Sequence, residues 1–175
     1  GYGRVTAVDD MKTLRASDLE ARRVAQTEFD RPLALEAGAG TGKTAILTAR
    51  ILAWILGPGW EKAKNALERN PRSKGKDKKP TADHIAVRTL GRVTAVTFTE
   101  AAPAEMTSPV AEGLAKIERG NLPVGLLPKA VPESEAVRKS RARALLGALD
   151  RLNIRTIHGF CLRLLSEYPL ESGMH

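Results

Sequence analysis

The sequence predicts an α/β domain in which helices flank a parallel sheet, and three observations carry that expectation. Short apolar or β-branched runs alternate with segments of helical periodicity, the pattern of strands joined by crossover helices. One such run, Leu33-Ala34-Leu35-Glu36-Ala37, passes straight into a Gly-rich loop and then into a helical segment. The chain has 175 residues, enough for one domain with a sizeable core, and its single cysteine, Cys161, excludes an internal disulfide framework.

The elements follow in order. Ala16 to Phe29 carries helix formers with Leu19, Val24 and Ala25 as apolar positions, and Asp30-Arg31-Pro32 breaks it. Leu33 to Ala37 reads as a buried parallel strand. From Lys43 to Leu56 the pattern is helical, with Ile46, Leu47, Ile51, Leu52 and Ile55 on the apolar side and Gly57-Pro58-Gly59 as the stop. The stretch Lys62 to Lys79, rich in Lys and Arg and punctuated by Pro71 and Gly75, reads as a mobile surface loop within an insertion at about 61–82. Arg92 to Phe98 is a β-branched strand, with Thr99 as N-cap of the helix beginning at Glu100. A Pro/Gly-punctuated stretch from Gly120 to Pro132 leads to a helix over Ser134 to Leu152, apolar at Val137, Leu145, Leu149 and Leu152 and basic on its other face. A third strand at Ile154 to His158 and a helix over Phe160 to Tyr168, ended by Pro169, complete the pattern. Residues 1–15 read as an N-terminal extension; within them Gly3-Arg4-Val5-Thr6-Ala7-Val8 repeats Gly91-Arg92-Val93-Thr94-Ala95-Val96, for which we have no physical account.

Composition narrows the partners. A formal charge of +8 with a pI near 9.9 biases them toward polyanions, because Lys and Arg neutralise phosphates. No apolar run approaches the roughly 20 residues that span a bilayer. The N-terminus has no signal-peptide apolar region, and the lone cysteine favours a reducing compartment, so a soluble cytoplasmic protein without a membrane partner is expected.

The sharpest chemical signal is Ala37-Gly38-Ala39-Gly40-Thr41-Gly42-Lys43-Thr44. Holding a phosphate requires converging backbone N–H groups, a helix N-terminus whose dipole favours negative charge, and glycines that let the backbone approach closely. The P-loop spacing places Lys43 to reach the β- and γ-phosphates of ATP and Thr44 to offer its hydroxyl to Mg²⁺, with Ala37 standing where the commonest version has glycine. Such a loop alone also fits a small-molecule phosphotransferase or other nucleotide enzymes.

Three further segments narrow the choice: Gln26 ahead of the first strand, VTAVTFTEAAPAEM over Val93 to Met106, and NIRTIHGFCLRLLSEYP over Asn153 to Pro169. Together with the loop, and in this order, they resemble the N-terminal part of UvrD/Rep-like superfamily 1 DNA helicases, particularly the RecB-like and AddA-like helicase–nucleases. The resemblance implies a RecA-like P-loop NTPase fold over residues 16–175, ATP and Mg²⁺ as cofactors, single-stranded DNA or a duplex end as partner, and a possible partner subunit of a helicase–nuclease complex. It implies that Gln26 reads the adenine edge, that Thr97, Phe98 and Thr99 lie along DNA, and that Thr156 and His158 touch the strand. Cys161 reads as a small buried hydrophobe in the following helix.

Two departures stand out. Pro103 replaces an expected alanine, and Pro109 follows in the same helix; an interior proline costs on the order of 3 kcal/mol, so the helix is expected to end or kink early. No Asp-Glu pair occurs in the sequence, whereas family members use one to hold Mg²⁺ and orient the attacking water. The expectation is an incomplete first motor domain that binds ATP and DNA with negligible turnover, or alternatively a shortened nucleotide- and DNA-binding module without motor activity.

Overall fold

The computed structural model describes residues 7–34, 42–69, 79–97 and 102–167, with the side chains of 7–16 and 102–105 left aside. The first helix, α1, spans Ala7–Thr27 and so begins inside the segment expected to be an extension. Ala7 and Val8 are helical there, whereas Ala95 and Val96 of the repeated hexapeptide lie in a strand.

Helix α2 spans Lys43–Leu56, as its periodicity predicts, and its last turns form the centre of the core. Leu52, Ala53, Ile55 and Leu56 are buried, while Leu47, expected on the buried side, is 41% exposed. Gly57 allows the chain to turn at once into α3, Pro58–Glu68, with proline in the first turn where its missing N–H costs nothing. The helical state of Lys62 to Glu68 corrects the expectation of a loop from Lys62 onward: Trp60 and Ala63 are buried in the core, and that burial selects the helix. The basic residues 70–78 lie outside the described residues.

A second helix of the insertion, α4, spans Ala82–Leu90 and was not foreseen. Thr81 caps it by accepting from the His84 N–H at 3.4 Å, and Ile85, Ala86 and Leu90 insert into the core. The first described strand, β1, is Thr94–Thr97.

Helix α5 spans Ala102–Glu118 and passes through Pro109, so of the early end or kink expected there the end does not occur. The reason lies beyond the proline, where Val110, Leu114 and Ile117 are buried. Burying three such side chains is worth about 1.5–3 kcal/mol each, more than the roughly 3 kcal/mol the proline costs. Helix α6 then spans Glu135–Gly147, capped by the Ser134 hydroxyl accepting from the Val137 N–H, and a short 3₁₀ turn over Leu149–Arg151 completes the segment expected as one helix. The expected basic face of α6 is neutralised in place. Lys139 pairs with Glu135, Arg143 with Glu118 and Arg141 with Glu61, and Arg138 donates to the carbonyls of Pro132 and Glu133.

The second strand, β2, is Asn153–Thr156, and α7 spans Ile157–Glu167, so the strand is shorter than expected and His158 is helical. The two strands are parallel, in the register Thr94–Asn153, Ala95–Ile154, Val96–Arg155 and Thr97–Thr156. A small parallel sheet with helical crossovers is therefore present, as predicted. Leu33 and Ala34 have no strand pairing, and Leu35 to Ala37 lie outside the described residues.

Candidate nucleotide and nucleic-acid site

Gly42 is the residue that turns the chain into α2. Its φ of 82° and ψ of 31° lie in the left-handed region, where a Cβ is strained, so the glycine is required by backbone geometry. The Ile46 N–H donates to the Gly42 carbonyl at 3.0 Å. Lys43, Thr44 and Ala45 are then first-turn residues whose N–H groups have no partner inside the helix, and no side chain among the described residues caps them. No acidic residue stands in that first turn, and the Lys43 and Thr44 side chains are exposed. Free donors, the positive end of the dipole and an exposed cation are what an anion requires, and this is the observation on which the fit of a triphosphate rests. Ala37, Gly38, Ala39, Gly40 and Thr41 lie outside the described residues.

A cleft of about 270 Å³ opens beside Thr44, between α2 and α5. Thr48, one turn farther along α2, lines it with a buried hydroxyl that has no hydrogen-bond partner among the described residues. A larger groove of about 450 Å³ touches neither Lys43 nor Thr44; it runs beside β1 and is bounded by Phe29, Arg50 and Trp54. Both lie against α2, and of the two only the smaller reaches its first turn, at Thr44.

Gln26 is placed differently from expectation. It is 1% exposed, its amide nitrogen donates to the Gly125 carbonyl at 2.8 Å, and its amide oxygen accepts from the Leu127 N–H at 2.8 Å. Donor and acceptor are committed to backbone, so the side chain ties α1 to the turn before α6 and is not open to a base. Sequence reasoning missed a neighbouring tie. Arg50, from α2, donates to the carbonyls of Ala25 and Glu28 at the end of α1, and its guanidinium lies 4.6 Å from the Phe29 ring centroid. Burial pulls Arg50 below the ordinary guanidinium value.

Of the residues expected to face DNA, Thr97 and Thr156 meet at one end of the sheet. Thr97 and Thr156 are register partners on adjacent strands, both at the strand C-terminus. The Thr97 hydroxyl donates to the Arg155 carbonyl at 3.3 Å. Thr156 is 9% exposed, and its hydroxyl accepts from the Gly159 N–H at 3.1 Å, capping α7. His158 is exposed in the first turn of α7; Phe98 and Thr99 lie outside the described residues.

Cys161 is exposed, which corrects the expectation of a buried position. Helix α7 lies beside β1 and β2 but buries none of its residues, and Ile157, Leu162, Leu164 and Leu165 are also exposed. One thiol per chain is therefore expected to react with Ellman's reagent in the native protein as fast as in urea; strong native-state protection would show that the helix is covered.

Among the described residues no group of His, Cys, Asp or Glu is arranged to hold a metal, and no helix is long and apolar enough to cross a membrane. The sequence matches the UvrD/REP helicase N-terminal domain family over residues 19–175. It is 33% identical over 133 residues to an ATP-dependent helicase/nuclease subunit from Clostridium botulinum strain Loch Maree, covering 76% of this chain and 7% of that protein. It is 30% identical over 138 residues to the protein of the same name from Bacillus cytotoxicus, covering 79% of this chain and 8% of the relative. No solved structure matches the chain at a significant level. The chain thus spans under a tenth of the length of these relatives, and on the extent of the family match it belongs to the UvrD/REP helicase N-terminal domain family.

Proposed function

We propose that this chain is the ATP-binding portion of the first, RecA-like motor domain of an ATP-dependent DNA helicase of the recombination and repair type, which translocates on single-stranded DNA. The observation that carries the reading is the opening of α2 directly behind a left-handed Gly42, with Lys43 and Thr44 exposed and the first-turn N–H groups uncapped. Lys43 would hold the β- and γ-phosphates, and Thr44 would offer its hydroxyl to Mg²⁺. When bound, ATP supplies the phosphoryl group whose transfer to water drives the motor.

The pairing of Thr97 with Thr156 supports a DNA track across the strand ends, with Phe98, Thr99 and His158 beside it. Hydroxyls there suit phosphate oxygens, and a ring suits a base or sugar. A duplex end and a companion chain, as in a helicase–nuclease complex, belong to the same reading; the relatives are named as one component of such a helicase/nuclease, which supports the latter.

For these 175 residues by themselves, which contain no Asp-Glu pair, the expectation is binding without turnover. Titration with a fluorescent ATP analogue in Mg²⁺ is expected to show saturable binding that Lys43→Ala weakens at least about tenfold, or roughly 1.4 kcal/mol. Equal binding by the variant would overturn the assignment of the loop, and sustained DNA-stimulated hydrolysis by this chain would overturn the assignment of binding without turnover.

A further inference from the structure

Helix α7 runs back along the sheet that it follows. Phe160, Arg163, Leu164 and Glu167, spaced as one face of a helix, line the same cavity as Thr94 and Asn153, the first residues of β1 and β2. The cavity measures about 230 Å³ and lies at the opposite end of the strands from Thr97 and Thr156. Three residues of strand, or about 10 Å, separate the two ends.

The sheet face on this side is polar. Asn153 and Arg155 are two apart on β2 and share a face, and Thr94 is the register partner of Asn153. Arg155 is half-buried, and its Nε donates to the Asn153 Oδ1 at 3.1 Å. That bond sets the direction of the guanidinium and leaves its two terminal nitrogens without a partner among the described residues. A guanidinium drawn out of water with no carboxylate opposite it is the unusual feature here, since such groups are ordinarily paired.

The helix wall adds a second guanidinium. Arg163 holds Glu167 through Nε, which leaves its terminal nitrogens open. Asp150, the acid ahead of β2, is paired with Arg151. Two guanidinium groups thus line the cavity with one carboxylate, already engaged, and one positive charge stands in excess. The remaining donors are the Asn153 amide nitrogen and the Thr94 hydroxyl. A planar carboxylate is satisfied by a single guanidinium fork, whereas a tetrahedral phosphate presents oxygens to both walls. Phe160 and Leu164 border these donors with apolar surface, which weakens screening by water.

We propose that the cavity between α7 and the strand starts is a phosphate-binding site, apart from the loop ahead of Lys43, in which Arg155 and Arg163 grip one phosphate group from opposite walls. It does not rest on the reading of that loop.

The test is line-broadening of inorganic phosphate in phosphorus NMR, with the full 175-residue chain carrying Lys43→Ala and ionic strength held constant with chloride. Lys43→Ala weakens the loop's own hold on phosphate, so the remaining binding reports the cavity. Adding Arg155→Gln is expected to weaken that binding at least about tenfold. Arg155→Lys recovers little of it, because an ammonium cannot span two oxygens as a fork does. Should Arg155→Gln lose its fold by circular dichroism, Arg163→Gln, which leaves the bond between Arg155 and Asn153 in place, is expected to weaken binding at least about threefold. Arg119→Gln, which removes a charge just past α5, should leave it unchanged.

Fluorescence anisotropy with end-phosphorylated and unphosphorylated forms of one labelled oligonucleotide separates the sources of the group. A preference for the phosphorylated form that Arg155→Gln abolishes puts the phosphate on a nucleic-acid end, and phosphate binding without that preference assigns a small free phosphate; either result upholds the site. Phosphate binding as strong in the Arg155→Gln and Arg163→Gln variants, an equal loss in Arg119→Gln, or no binding in the Lys43→Ala chain overturns it. ATP-analogue binding is expected to be unchanged by Arg155→Gln, so the cavity and the loop stand or fall separately.

Discussion

Leu52→Ala is expected to destabilise the chain by about 3–5 kcal/mol in urea unfolding followed by circular dichroism. Leu52 is 1% exposed at the centre of the core, on the helix that carries Lys43 and Thr44. Its side chain fills the space above Gly113, where an added Cβ would stand 2.6 Å from Leu52 Cδ1. That glycine lets α5 come close to α2, and removal of the leucine leaves a void that neither backbone can readily close. A loss of this size is a large share of the roughly 5–15 kcal/mol available to a typical domain. Leu47→Ala on the same helix is expected to cost about 1 kcal/mol or less, because Leu47 is 41% exposed. Similar costs at both positions would mean that α2 is not seated as described.

Gln26→Ala is expected to lower stability by about 2–3 kcal/mol while changing ATP-analogue affinity by less than about twofold. The substitution strips partners from the Leu127 N–H and the Gly125 carbonyl and leaves a gap at the end of α1. A base-reading residue would show the opposite split, with affinity lost and stability kept. The two measurements together separate the roles.

Where one local cause decides, the sequence was legible. Helix α2 has a clean periodicity between a glycine loop and Gly57-Pro58-Gly59, and its bounds are those expected. The strands β1 and β2 were read from β-branched runs, and their parallel pairing from alternation with helices. Misjudged elements were those fixed by distant partners. Lys62 to Glu68 has the composition of a loop but is held helical by Trp60 and Ala63 in the core. Pro109 has a known local cost, outweighed by apolar side chains farther along α5. Ala-Val within one repeated hexapeptide is helical in α1 and extended in β1, which no local rule could separate.

The candidate site divides along the same line. Gly42, Lys43 and Thr44 carry their chemistry in their own spacing, and α2 begins where that spacing requires. Gln26 and Cys161 were assigned without knowledge of what packs around them. The first is enclosed by a turn a hundred residues away in sequence, and the second is exposed on a helix that lies beside β1 and β2 without burying any of its residues.

The grip of Arg50 on the end of α1 fixes the two helices that flank the proposed phosphate loop. One guanidinium holds the carbonyls of Ala25 and Glu28 and stacks on Phe29, while Arg50 itself sits two turns into the helix that Gly42 opens. The chain between Phe29 and Gly42 is thus a span with both ends moored to the same pair of helices. The helix on either side of the proposed triphosphate site is therefore fixed to the other before a ligand arrives, and flanks set in advance leave less ordering for binding to supply.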